Sequence, residues 1–215
     1  MSLVLGWMED SVLYEFNALE FKDITSRLTP SKYESIDFRH LENGNLEIKY
    51  TWIDPIRMKD KIIARDQKTV TFWFFCNKFL MSCFGNSESA ISYAILNLSK
   101  KAKAEFKRVD TFDHWYQFHY PANNWFATLT GVHIKKNPSA FDERDILKLN
   151  IKELTREKLN ESFDKKEITN LTFRYGNTTF HIDLASVISF ADTASEKEIY
   201  SVVKNIVEEL RKKHD

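Results

Sequence analysis

The chain has 215 residues, 43% of them hydrophobic and 14% aromatic, enough apolar surface for one large core or two smaller ones and too much for extensive disorder. Lysine plus arginine (31) balance aspartate plus glutamate (31). This argues against a general nucleic-acid binder, whose phosphate contacts call for a basic excess, and it leaves self-association or a protein partner unopposed by net charge.

No stretch approaches the roughly 20 apolar residues of a membrane helix, and no basic segment followed by an apolar run opens the chain. Cys76 and Cys83 make no disulfide framework at this size and have no CxxC spacing for a metal. A soluble cytoplasmic protein with no membrane partner is therefore expected.

Residues 8–28 read as a helix, with Val12, Phe16, Leu19 and Ile24 on one side and Thr29-Pro30-Ser31 ending it. Strands follow at 33–41 and 45–53 around Glu42-Asn43-Gly44. Further strands are expected at 58–65 and 68–76 around Asp66-Gln67, and at 79–84 after Asn77-Lys78. In the last hairpin a two-residue loop opposes Cys83 to Phe72. Both faces are then apolar, with Trp73, Phe75, Leu80 and Phe84 behind Val70, Phe72, Phe74 and Met81, which predicts a central pair covered on both sides. Ile91, Ala94, Ile95, Leu98, Ala102 and Phe106 form the stripe of a helix at 87–106. Lys100, Lys101, Lys103, Lys107 and Arg108 crowd its end, where cations suit the helix dipole.

An aromatic hairpin is expected at 113–120 and 124–134 around Pro121-Ala122-Asn123, then an exposed connector at 136–145. A strand at Leu147, Leu149 and Ile151 and a short helix at 155–163 follow. The clearest unit closes the chain. Leu171, Phe173 and Tyr175 alternate, Gly176-Asn177 turns, and Phe180, Ile182 and Leu184 alternate again, so that Phe173 meets Phe180 and Leu171 meets Ile182. Ser195 with Glu198 reads as a capping box ahead of the stripe Ile199, Val202, Val203, Ile206, Val207 and Leu210. The whole is α+β: mainly antiparallel sheet built from hairpins, covered by amphipathic helices at about 87–106 and 195–213. Residues 70–106 and 171–213 suggest two similar sheet-then-helix units. Domain limits of 1–136 and 137–215 follow from the connector.

Register decides the one catalytic candidate. A two-residue Asn43-Gly44 loop would put Asp37 on the face opposite Glu47 and Lys49. A three-residue loop with Gly44 left-handed pairs Phe38 with Ile48 and Ile36 with Tyr50, which burial favours. It brings Asp37 opposite Lys49 and Arg39 opposite Glu47. On a solvated face these are two ion pairs. Alternatively Asp37 and Glu47 hold a divalent metal, magnesium or manganese, while Lys49 polarises a water. Asp37…Glu47-Ile48-Lys49, between an earlier helix and a later strand and helix, resembles the core of the metal-dependent restriction-type nuclease superfamily over residues 8–106. Ile36 stands where that family often has proline. The resemblance implies phosphodiester cleavage with those three residues as the site.

The second candidate is the aromatic segment, with Trp115, Tyr116, Phe118, His119 and Trp125 as binding residues for a flat ligand, a protein partner or single-stranded nucleic acid. On a strand His114 and His119, five apart, would point to opposite faces. The third is His181 with Asp183, for which no nucleophile elbow is present. The chain has no P-loop, dinucleotide fingerprint or HExxH, and only five glycines with which to cradle phosphate. The reading that follows is a non-catalytic intracellular interaction or ligand-binding protein without a cofactor, with the nuclease second and the nucleic-acid binder third.

Overall fold

Alternating apolar and polar residues from position 34 onward become a meander of antiparallel strands. The computed structural model describes residues 10–17, 21–58, 61–135 and 146–212, and the side chains of all of these but 21–23 and 54–66. The connector expected at 136–145 lies outside the described residues. The chain divides into two compact units, Met1–Val109 and Asp110–Asp215. The recorded strand pairings within each are antiparallel, so the protein is α+β with antiparallel sheet.

In the first unit the elements are β1 (Asp10–Phe16), α1 (Phe21–Arg27), β2 (Glu34–His40), β3 (Leu46–Met58), β4 (Lys61–Phe75), β5 (Leu80–Phe84), α2 (Glu88–Ala102) and β6 (Phe106–Arg108). The strand order is β2-β3-β4-β5-β1, with β6 on β1. The helix expected at 8–28 is instead strand β1 followed by the short α1. Val12, Tyr14 and Phe16 alternate and favour a strand. Pairing with β5 (Val12 with Cys83, Tyr14 with Met81) overrides the looser helical period. The expected Asp66-Gln67 turn is also absent: Gln67 pairs with Ile53 in mid-strand, and the reversal falls between Met58 and Lys61. A dipeptide without glycine or proline is a weak turn signal, and a bulge between Ile53 and Pro55 lets the long pair continue.

The β4–β5 hairpin does have the expected register, Phe72 opposite Cys83. Trp73 and Phe84 on one face and Phe72, Phe74 and Met81 on the other are all buried. Helix α2 starts on Ser87, whose hydroxyl accepts from the Ala90 amide, and ends at Ala102, where Lys103 turns left-handed (φ 53°). That stop frees Phe106 for β6, four residues short of the predicted helix end. The basic cluster is largely answered within the unit: Lys101 meets Glu34, Lys107 meets Glu15 and Arg108 meets Glu88.

The second unit holds α3 (Thr111–His114), β7 (Thr128–Lys135), β8 (Ile146–Asn150), α4 (Arg156–Asp164), β9 (Ile168–Tyr175), β10 (Thr178–Asp183), β11 (Val187–Phe190) and α5 (Glu196–Arg211). Its strand order is β11-β10-β9-β7-β8. Gly176 (φ 57°) takes the first central position of the β9–β10 turn, where positive φ favours glycine. Phe173 then meets Phe180 and Leu171 meets Ile182, as the alternation predicts, and all four are fully buried. The capping box at Ser195 and Glu198 is present, and the predicted stripe of α5 is buried. Strand β11 was not anticipated, because Val187-Ile188-Ser189-Phe190 is short and follows β10 after three residues.

The segment expected as the first strand of an aromatic hairpin is helical. Asp110 caps α3 by accepting from the Asp113 amide. The helix then widens over Trp115–His119 into a π-turn, closed by the Tyr120 amide on the Trp115 carbonyl at 3.0 Å. Aromatic content alone favours a strand, and the packing of Trp115 on Phe173 (5.1 Å, edge to face) decides otherwise. The inner face of the β9–β10 hairpin is thus met by this helix. Phe163 of α4 packs beside it, 6.0 Å from Trp115.

Candidate functional site

The register of β2 and β3 brings the catalytic candidates together as predicted. Asp37 is the cross-strand partner of Lys49, and Arg39 of Glu47, with Gly44 left-handed at φ 74°. Their environments differ. Asp37 is exposed on the outer strand and Lys49 is half-buried, whereas Glu47 is buried and already engaged. Its Oε2 accepts from Arg39 Nη2 at 2.6 Å and from Trp73 Nε1 at 2.9 Å. These bonds aim the carboxylate at a neighbouring guanidinium and an indole rather than at open space beside Asp37. Among the described residues no group of three or more histidine, cysteine, aspartate and glutamate side chains is placed to hold a metal.

On the polar face of β9 and β10, His181 shares a hydrogen bond with the Thr172 hydroxyl at 3.0 Å, and Asp183 accepts from the Val187 amide at 2.8 Å. Burial, then the nearby charges of Lys148 and His181, hold His133 below the ordinary histidine value. Burial and Lys148 do the same for His181. Both shifts favour the uncharged ring. Asp183 ties the end of β10 to the start of β11.

The aromatic candidates lead to a cavity. A space of about 530 Å³ lies among Trp115, His119, Tyr120, Trp125, Leu159 and Phe173, with Leu129, Ile151, Leu154, Thr155 and Arg156 also on its wall. Such a volume is in the range of small-molecule sites. Each wall has a sequence reason. Phe112, Trp115 and His119 are buried at i, i+3 and i+7, one face of a helix. The wide π-turn brings residues five apart side by side: His114 and His119 ring centroids are 5.4 Å apart, Trp115 and Tyr120 5.5 Å. The opposed-face expectation for the two histidines is thereby corrected. His119 Nδ1 shares a hydrogen bond with Asn124 at 3.1 Å, and its ring lies along Trp125 at 6.1 Å. Trp125 stands edge to face on Phe173 at 4.5 Å.

Of the five binding residues expected from sequence, Trp115, His119 and Trp125 line this cavity. Tyr116 faces a second cleft of about 400 Å³ with Gln117, Tyr120, Asn160, Asp164 and Arg156. Phe118 turns outward, 39% exposed, against the His114 ring. Burial raises the Tyr116 hydroxyl above its usual value, with Asp164 adding to it, and burial alone raises Tyr120 against the opposing Arg156 charge. Both phenols are therefore hydrogen-bond donors at neutral pH. Tyr120 donates to Asn160 Oδ1 at 2.8 Å.

Sequence reasoning missed Arg156, Leu159 and Phe173 as wall residues. No local signal marked them: Thr155 caps α4 and its first turn carries Arg156, Glu157 and Lys158, an ordinary mixed-charge helix start.

Comparison with protein-family models and with curated proteins gives no match. The class defined by fold and site is an α+β protein of two compact units, the second carrying a half-open cavity with aromatic residues on its wall.

Proposed function

We propose that this is a non-catalytic intracellular protein that binds a small molecule in the cavity of the second unit. The observation that carries the reading is the cavity itself. About 530 Å³ is bounded by buried Trp115, Phe173 and Leu159, and Asn123, Thr128, Thr155 and Arg156 make much of the rest of the wall polar, a mixture that a ligand site uses for burial and orientation. The nuclease reading ranks below it, because Glu47 is committed to Arg39 and Trp73. The single-stranded nucleic-acid reading does too, because Trp115 and His119 are buried rather than presented as a stacking platform.

A neutral fluorescent probe, N-phenyl-1-naphthylamine, tests the proposal. Its emission should rise saturably at one site per chain. Ala127→Trp, which fills the cavity from its wall, should abolish the rise while far-UV circular dichroism and Tm stay near wild type. No saturable rise, or the same rise in a folded Ala127→Trp variant, would overturn the reading.

A further inference from the structure

The cavity is lopsided in charge. Among its described lining residues Arg156 carries the one formal charge and no carboxylate is present. The guanidinium is oriented mainly by neutral groups. It lies 6.0 Å from the Tyr120 ring centroid, and Nη2 donates to the Pro121 carbonyl at 3.5 Å. Its neighbour Glu157 is held first by its own amide and the Thr155 hydroxyl, and the Arg156 charge acts on it only as a smaller effect. Arg156 also borders the second cleft, where Asp164 accepts from Tyr116 at 3.5 Å. It therefore stands where the two spaces share a wall. It is the first residue of α4, and on the cavity wall its charge faces no carboxylate among the described lining residues.

The opposite wall is aromatic and angular. Trp115 and Trp125 both meet Phe173 edge to face, at 72° and 77°. Those three rings close on one another, and the half-exposed Tyr120 and Trp125 on the cavity wall offer aromatic surface to a flat guest. We propose that the ligand is a planar aromatic carboxylate, its ring against Tyr120 and Trp125 and its carboxylate on Arg156. This inference rests on the cavity being the ligand site. Guanidinium and carboxylate match as a two-bond fork. Because Arg156 is exposed, screening limits the selectivity to about two- to fivefold over a neutral isostere.

The test is calorimetric titration of the full chain at pH 7.5 and low salt with 2-naphthoate, 2-naphthamide and octanoate. Naphthoate should bind about two- to fivefold more tightly than naphthamide and more tightly than octanoate. Arg156→Gln should abolish the preference for naphthoate over naphthamide, and Arg156→Lys should restore part of it. Equal naphthoate and naphthamide affinities, or a preference that survives in Arg156→Gln, overturns the carboxylate. Octanoate matching naphthoate overturns the aromatic body. If N-phenyl-1-naphthylamine still binds in those cases, the cavity reading stands and only this inference fails. If neither the neutral probe nor naphthoate binds, both fail.

Discussion

Glu34 ties three elements of the first unit together, and its charge can be removed without removing its shape. Its carboxylate accepts from the Tyr50 hydroxyl at 2.6 Å and from the Ser31 amide at 2.8 Å, and it meets Lys101 of α2 at 2.9 Å. Burial works against ionisation of Glu34, but the bonds from Tyr50, Lys101 and Ser31 outweigh it and lower the carboxyl from 4.5 to about 2. That lowering is worth at most about 3 kcal/mol, and partial access to water should reduce it to roughly 1–2 kcal/mol. A carboxyl with a depressed folded value stabilises above its unfolded value and loses that contribution as pH falls through the folded one. Glu34→Gln keeps the shape and one acceptor oxygen, while an N–H donor replaces the oxygen that accepts from Ser31 or Tyr50, so it mimics the protonated carboxyl rather than the ionised one. Urea unfolding followed by tryptophan fluorescence should find the variant about 1–2 kcal/mol less stable at pH 7. The gap should close between about pH 5 and pH 2. A gap that is constant with pH, or no gap at pH 7, would show that the ionised carboxylate is not what holds β2 to α2.

Two further outcomes follow from the same unit. Trp73→Phe deletes the indole donor to buried Glu47 and should cost about 2 kcal/mol in urea unfolding; a cost below about 0.5 kcal/mol would mean that Arg39 alone satisfies the carboxylate. Gly44→Ala meets no neighbouring atom within 4 Å but must hold φ at 74°, so it should lose about 1 kcal/mol of stability from backbone strain alone. Gly44→Asn, which tolerates that conformation better, should lose less, and equal losses would place the cost elsewhere.

Much of the fold was legible because period and turn chemistry agree locally. Gly44 and Gly176, each able to hold positive φ, set two hairpins whose apolar residues leave only one register consistent with burial. The capping box at Ser195 announces its helix, and the helices expected from 87 and 155 start there on Ser87 and Thr155 caps. Elements failed where local signals were ambiguous and partners were distant. β1 carries both a loose helical and an alternating period, and only its pairing with β5, some seventy residues away, settles the choice.

The cavity divides in the same way. The sequence by itself singled out Trp115, His119 and Trp125 as aromatic candidates, though on a hairpin that does not form, and it set which of Asp37, Glu47 and Lys49 share a face, because hairpin register follows from turn length and burial. Only the tertiary structure decided what those neighbourhoods are. Glu47 finds its indole donor on β4, a strand that register between adjacent residues does not specify. The aromatic segment becomes a widened helix because Phe173 and Phe163, supplied by β9 and α4, favour burying Trp115 as a helix face over exposing it on a strand. Arg156 reaches the same cavity from a third element. Local periodicity acts over a few residues, whereas the cavity is made by side chains between 115 and 173, whose meeting depends on sheet order.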